Sequence, residues 1–507
     1  MLANLVQLLP DPNYVNPSFD WHAVAPELVL TVGVLVLILL DSIKLEKARP
    51  FMSPLANLTL LGSLIPILTL AVDGADRSLF GGSYVVDSVS LVLKALFIVT
   101  AYIVVLLSTN YIAEGDYWES EYYSLLVAST LGMVVMASAR DLITIFIALE
   151  LLSMPAYMLA SWRKADPKSN EAGMKYFLMG VFASSVMVYG MSLIYGIGHS
   201  TRLDAIAAQL THLGDGRGAP VVTLGIVFVI IGFAFKVSAV PFHFWAPDVY
   251  EGAPTPVTTF LAVASKAAGF VALIQLVFYC FYTRPDIVQP VFAALSILTM
   301  TIGNLIALKQ TNIVRMLAFS GIGHAGYMLA AFGAIENNPD QALSAIVIYL
   351  IIYAAMNLGA VAVVVAVARK TRSGEITSFG GLIKYAPGLT VAMTFFMASL
   401  IGIPPFGGWY AKVAIWQTVV GADTPIGYVL AVAISVNAVI SAFYYLNVCK
   451  TMWFEEAPAG DVSPLRVPTG LASAIVISAI ATLLLGVVPG PLSNLSTFAP
   501  VAMILGG

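Results

Sequence analysis

Residues Pro220–Asp248 read PVVTLGIVFVIIGFAFKVSAVPFHFWAPD. The run from Pro220 to Phe235 carries no charge, and Lys236 interrupts it, with Pro241 five residues further on. A stretch this long and this apolar crosses a membrane as a helix. Lys236 lies ten or more residues from either end, so it sits deep in hydrocarbon. Pro241 removes a helix hydrogen bond at that depth. The segment therefore predicts a broken transmembrane helix with an ionisable group at its break.

The rest of the chain has the same character. Of 507 residues, 59% are hydrophobic and 10% are charged, against about 25% charged in soluble domains. Apolar runs recur along the whole length, and strands of about ten alternating residues are absent, which argues against an outer-membrane barrel. The N-terminus, MLANLVQLLPDPNYVNPSFDW, has no basic region before its short apolar stretch and does not read as a cleaved signal. There is no nucleic-acid signature and no glycine-rich nucleotide loop. Cys280 and Cys449 cannot form a metal or iron–sulfur site by themselves, so no metal, cofactor or redox centre is expected in this chain.

The pattern predicts an all-α integral membrane protein of about fourteen spans: 25–43, 54–72, 87–110, 122–139, 141–161, 172–197, 220–248, 255–281, 289–308, 312–333, 341–368, 388–420, 427–452 and 468–492. An even number puts both termini on one side. Lys94, Lys236, Lys266 and Lys412 fall inside spans. One set of alternate loops, with the span ends beside them, holds fifteen basic residues, among them Lys44, Lys47, Arg163, Lys168, Lys175, Arg315 and Lys370. The opposite set holds five: Arg77, Arg140, Arg202, Arg217 and Arg284. The positive-inside bias makes the first set cytoplasmic and places both termini outside.

A faint internal repeat divides the chain. The fifth span ends SMPAYMLA (Ser153–Ala160) and the tenth ends GHAGYMLA (Gly323–Ala330), 170 residues later. Spans seven and twelve each carry a lysine beside a proline break, Lys236 and Lys412, 176 residues apart. Spans 4–8 and 9–13 thus read as two five-helix units. Five is odd, so the copies are inverted, as in transporters that place function at broken helices near the midplane. The expected divisions are 1–121 (three N-terminal helices), 122–281 and 289–454 (the two repeats), and 468–507 (the last helix and tail). Chance similarity among Leu-, Ala- and Met-rich helices is the competing explanation.

A charge at the bilayer centre costs about 2.5–3.5 kcal/mol on insertion scales and marks a candidate functional residue. Glu150 lies nine residues past the interfacial Asp141, which at 1.5 Å per residue is about 13 Å deep. Lys236, Lys266 and Lys412 are similarly placed, and none has an opposite charge three or four residues away on its own helix. Burial favours the neutral form of a lysine or glutamate, whereas a nearby opposite charge favours the charged form. A row of such groups with shifting partners passes protons as a coupled set. His243, after the first break, and His324, in FSGIGHAGYML, join the set because imidazole donates and accepts protons near neutral pH. The plainer alternatives are a snorkelling Lys94, a static Glu150–Lys236 ion pair, and histidines bonded to backbone carbonyls. In span twelve, Gly402, Pro404, Pro405, Gly407 and Gly408 predict a break just before Lys412.

Phe235–Phe270, FKVSAVPFHFWAPDVYEGAPTPVTTFLAVASKAAGF, resembles the segment shared by antiporter-like subunits of respiratory complex I (NADH:quinone oxidoreductase) and by multisubunit Na⁺/H⁺ antiporters. The resemblance runs from about span three to span fourteen. It includes LKQTNIVRMLAFSGIGHAGYML (Leu308–Leu329) and GIPPFGGWYAK (Gly402–Lys412). The first two spans match by hydropathy alone. The chain looks most like the subunit N branch: subunit L-like chains continue into a lateral helix, and subunit M-like chains carry glutamate where Lys412 stands.

The resemblance implies a proton relay driven by redox chemistry in other subunits. Glu150 sets the charge state of its neighbour, Lys236 is the seventh-span lysine, Lys266 connects the halves, and Lys412 ends the second half-channel. NADH, FMN, iron–sulfur clusters and quinone are expected on partner subunits, with none in this chain. The implied partners are the antiporter-like subunit M, the small K/J/A/H-type membrane subunits and the lipid bilayer of a bacterial inner membrane, with no nucleic acid. A subunit of a cation/proton antiporter or membrane-bound hydrogenase, and a structural subunit with static ion pairs, are the alternatives.

Overall fold

A computed structural model describes residues 19–42, 49–74, 76–114, 119–212 and 219–490. Both chain termini, Lys44, Lys47 and Arg217 lie outside the described residues. The elements in chain order begin with α1 (Ala25–Ser42), α2 (Arg49–Asp73), the strands β1 (Arg77–Leu79) and β2 (Tyr84–Val86), α3 (Ser88–Glu114) and α4 (Glu119–Ser138). There follow α5 (Leu142–Ala160), α6 (Pro167–Gly198), the short α7 (Leu203–His212), α8 (Ala219–Lys236), α9 (Trp245–Gly252), α10 (Thr255–Phe260) and α11 (Lys266–Tyr279). The second half holds α12 (Pro285–Ala307), α13 (Ile313–Ala330), α14 (Pro339–Thr371), the four-residue α15 (Leu382–Tyr385), α16 (Pro387–Ile401), α17 (Gly407–Gly421), α18 (Pro425–Phe454) and α19 (Thr469–Val487). The strands form one small antiparallel hairpin pairing Arg77 with Val86.

Among the described residues, twelve helices are long and apolar enough to cross a membrane, and two shorter apolar helices, Pro220–Lys236 and Pro387–Ile401, open the two broken spans. This matches the fourteen expected crossings. Several helices outrun their apolar stretch. α6 begins at Pro167 rather than 172, because the Asp166 carboxylate accepts from the Lys168 N–H and proline at the first position lacks a donor to satisfy. α14 spans 33 residues, about 50 Å at 1.5 Å per residue, so its ends project past the hydrocarbon.

Burial orders the bundle. The apolar stretches of Thr255–Tyr279, Ile313–Ala334 and Pro339–Thr371 are almost wholly buried, whereas α1 and α19 are mostly exposed. α11, α13 and α14 are therefore the centre, and α1 and α19 present apolar surface to lipid. Small residues allow close helix approach: a β-carbon on Gly132 of α4 would lie 2.6 Å from the Leu152 nitrogen of α5.

Polar contacts sort the loops onto two faces. Arg163 donates to the Gly252 carbonyl at 2.9 Å, Arg315 pairs with Asp248 at 2.9 Å, Asn312 bridges to Glu375, and Lys370 pairs with Asp461 at 3.3 Å. This connected set is the basic-loop face. On the opposite face Arg77 pairs with Asp20, and Asp141 bridges to Arg202. Arg140, counted above as a loop cation, is only 7% exposed. It pairs with Asp87 at 2.6 Å, donates to Gln275 and lies over the Tyr279 ring.

Lys94 corrects an expectation. It does not snorkel: its exposure is 0%, and Nζ lies 2.9 Å from Glu27 Oε1 and donates to the Tyr84 hydroxyl at 3.0 Å. The partner comes from α1, whose position is a tertiary fact that local spacing does not carry. A buried counter-charge replaces the water that a snorkelling head group would seek.

Candidate functional site

The site is a line of polar groups through the middle of the bundle. Glu150 stands midway along α5, and its Oε1 accepts from Ser184 Oγ at 2.7 Å. Ser153, one turn on and on the same face, receives a bond of 2.8 Å from Lys236 Nζ. Lys236 is the last residue of α8 and is 3% exposed. It also donates to the Tyr176 hydroxyl at 3.1 Å, with its Nζ 5.5 Å from that ring's centre. Among the described residues no ion pair joins Glu150 to Lys236; each bonds a different serine instead.

The break after Lys236 is closed by side chains. Ser238 takes a left-handed conformation, φ 61°, and the freed Val240 N–H donates to Thr299 Oγ1 at 2.9 Å. The Trp245 indole donates to the Phe235 carbonyl at 3.0 Å and stacks on Tyr176 at 4.6 Å. Freed backbone groups at membrane depth require such partners. His243 is buried beside this break, with Nδ1 unbonded among the described residues. No bond joins it there to the lysine line.

Tyr176 leads onward, its hydroxyl 3.5 Å from Ser265 Oγ. Ser265 closes a single π-helical turn, Leu261–Ser265, and Lys266 follows at once. Lys266 is 1% exposed, and Nζ donates to the Gly321 carbonyl at 2.8 Å. One turn along α13, His324 sits between two tyrosines: Nδ1 is 2.7 Å from the Tyr349 hydroxyl and Nε2 3.1 Å from that of Tyr445. The Tyr445 hydroxyl also bonds Ser320. The histidine's partners are thus phenols rather than carbonyls.

The second break falls where the prolines and glycines put it. α16 ends at Ile401 and α17 resumes at Gly407, with Gly402 at φ 92°. Lys412 Nζ donates back to the Leu400 and Ile401 carbonyls at 3.0 and 2.7 Å. It thereby caps the negative end of the half-helix dipole. It also lies 5.1 Å from the Tyr327 ring centre, and Tyr327 is three residues beyond His324 on α13.

Lys236, Lys266 and Lys412 therefore share one kind of setting. Each is buried, and each is held by hydroxyls or carbonyls, with no carboxylate within ion-pair distance among the described residues. A neutral acceptor holds an ammonium without fixing its charge, so such a lysine can release and regain a proton. Lys94 has the opposite character, because a glutamate fixes it. Sequence reasoning missed Ser153, Tyr176, Ser265, Tyr349 and Tyr445. For Tyr349 and Tyr445 the available signal was a tyrosine inside a span, away from the interfacial belts where it is usual.

At the basic-loop face, Lys175 bonds Asp248 at 2.8 Å and Glu171 at 2.7 Å, while Arg315 bonds Asp248 and Glu251 at 2.9 Å each. These charges line an open cavity of about 150 Å³ and tie α6, α9 and α13 together. Among the described residues, no group of three or more His, Cys, Asp or Glu side chains is placed to hold a metal ion.

The profile of the family described as NADH:quinone oxidoreductase/Mrp antiporter, TM, matches residues 139–441. NADH-quinone oxidoreductase subunit N of Trichlorobacter lovleyi is 38% identical over 93% of this chain and 95% of its own length. A chain of respiratory complex I from Thermus thermophilus is 31% identical, with a TM-score of 0.77 over 94% of this chain and 100% of that one. A chain of the Mrp complex from Dietzia sp. DQ12-45-1b is 18% identical and shares the fold, with a TM-score of 0.82 over 94% and 97%.

Proposed function

The chain belongs to the NADH:quinone oxidoreductase/Mrp antiporter family of membrane subunits, and we propose that it is the proton-translocating subunit N of an NADH:quinone oxidoreductase. The observation that carries this reading is the run of three buried lysines on neutral acceptors, with the hydroxyls of Tyr176, Ser265 and Ser320 and the His324–tyrosine cluster in the same interior. Lys236 takes up a proton, Lys266 passes it between the halves, His324 relays it, and Lys412 releases it on the opposite face. Glu150 biases the charge of Lys236 through the Ser153 face of α5. His243 borders the first break and serves the uptake side.

In this reading the basic-loop face is cytoplasmic and both termini lie outside, in a bacterial inner membrane. Residues 122–281 and 289–454 act as the two inverted repeats, after an N-terminal unit at 1–121 and before a final helix and tail at 468–507. Subunit M-like and K/J/A/H-type subunits adjoin this one, and NADH, FMN, iron–sulfur clusters and quinone reside on partners.

The test is to isolate the tagged chain from its host membrane, identify what comes with it, and measure protons moved per NADH in vesicles. The expected result is a quinone-reducing NADH dehydrogenase whose proton yield falls after Lys236→Ala. Isolation with cation-antiporter subunits and without quinone reduction would overturn the assignment.

A further inference from the structure

A second buried polar cluster lies where α12, α13 and α18 meet, and it is built on two amides, Asn304 of α12 and Asn437 of α18. Asn437 is anchored first. Its Nδ2 donates to the Ala433 carbonyl of its own helix at 2.9 Å and to Thr301 Oγ1 of α12 at 3.2 Å. Asn304 Nδ2 in turn reaches the Asn437 carbonyl at 3.4 Å and its Oδ1 at 3.3 Å. A carbonyl only accepts, so these backbone oxygens decide which end of each amide is nitrogen. The Asn304 oxygen therefore faces the other way, where it accepts from the Tyr444 hydroxyl at 2.9 Å. Gly323, next to His324, makes room for it: a β-carbon there would lie 2.7 Å from Asn304 Oδ1.

The amide pair leads to Lys412 through one tyrosine. Asn304 Nδ2 also donates to the Tyr327 hydroxyl, at 3.1 Å. Tyr327 is 1% exposed, and its ring centre lies 5.1 Å from Lys412 Nζ. A ring face attracts an ammonium within about 6 Å, most strongly away from water. The carbonyls of Leu400 and Ile401 hold Lys412 from the break, and the Tyr327 ring is a separate neutral support from α13. How well that support works depends on where the ring is held.

We propose that Asn304, anchored by Asn437, is a positioning residue for the Lys412 end of the relay: it pins the Tyr327 hydroxyl, and through it the ring face that supports the Lys412 ammonium. The proposal rests on the proton-translocating reading above and adds to it the group that sets how firmly Lys412 keeps its proton. An amide suits this task because it is neutral. It fixes the ring without bringing a counter-charge, whereas a carboxylate would hold the lysine in its charged form. The network is satisfied at Ala433, Thr301, Asn437, Tyr444 and Tyr327, and a buried polar network with its bonds made is rigid.

The experiment uses the whole complex in vesicles and reads protons moved per NADH above the baseline set by Lys412→Ala. Asn304→Ala and Tyr327→Phe break the same bond from its two ends. Each should lower the yield by about two- to tenfold, and the double variant should fall no further than the lower of the two. Tyr327→Leu, which removes the ring itself, should fall below both. A second readout is acetylation by acetic anhydride, followed by mass spectrometry, because only the free amine reacts. Lys412 should be labelled faster in each variant while Lys266 keeps its wild-type rate. An unchanged yield in both single variants, losses that multiply in the double variant, or labelling of Lys412 and Lys266 that rises alike overturns the positioning role. A Lys412→Ala complex that pumps like the wild type overturns the parent reading instead.

Discussion

Replacing Lys236 with arginine separates a relay from a fixed cation. The ammonium is 3% exposed and rests on Ser153 and Tyr176, at 2.8 and 3.1 Å. A guanidinium can donate to both hydroxyls and stack on the Tyr176 ring, so a purely structural role survives the change. The stem has little spare room on one side, since a β-carbon on Gly269 would lie 3.2 Å from Lys236 Cγ. The extra length must therefore extend toward the hydroxyls. Proton release is another matter. Free arginine holds its proton about 2–3 pKa units more tightly than lysine, about 3–4 kcal/mol. That difference slows deprotonation by roughly 100- to 1000-fold. The Lys236→Arg complex should thus assemble and reduce quinone while losing this subunit's proton yield. The assay is dye-reported acidification of vesicles, normalised to NADH oxidised, beside a gel check of assembly. Wild-type proton yield from a fully assembled Lys236→Arg complex would refute the relay at this position.

Two further outcomes follow from the packing. Glu27→Gln leaves the buried Lys94 ammonium without its counter-charge and Lys94→Met leaves the carboxylate alone, so each should lose about 3–5 kcal/mol of stability; the double variant should recover most of it in an SDS-unfolding cycle, and strictly additive losses would show that the two side chains do not interact. Gly402→Ala forces a β-carbon into the left-handed region at about 1–2 kcal/mol and sets it 3.0 Å from Lys412 Cδ; it should depress proton yield more than quinone reduction, and equal retention of both would mean that Lys412 does not depend on the shape of this break.

Much of this protein was legible along the chain because a membrane imposes local rules. Apolar run length sets the crossings, since every backbone group in hydrocarbon must bond within its own helix. The breaks could be placed from Pro241, Pro404 and Pro405, because proline removes a donor wherever it falls in a helix. Glu150, Lys236, Lys266 and Lys412 stood out because charge is costly there whatever the packing. What the chain could not convey is which neutral atom meets each charge. Lys94 and Lys236 are both lysines within apolar runs. Only helix packing gives one a glutamate from α1 and the other a serine from α5 and a tyrosine from α6. The tyrosines around His324 come from α14 and α18, distant in sequence and adjacent only in the bundle. Cross-helix contact depends on the rotation and crossing of whole helices, and no local spacing encodes that. The number of crossings, the two breaks and the ionisable residues in hydrocarbon are local properties of the chain, whereas helix packing sets which of those charges meets a counter-charge and which rests on neutral acceptors.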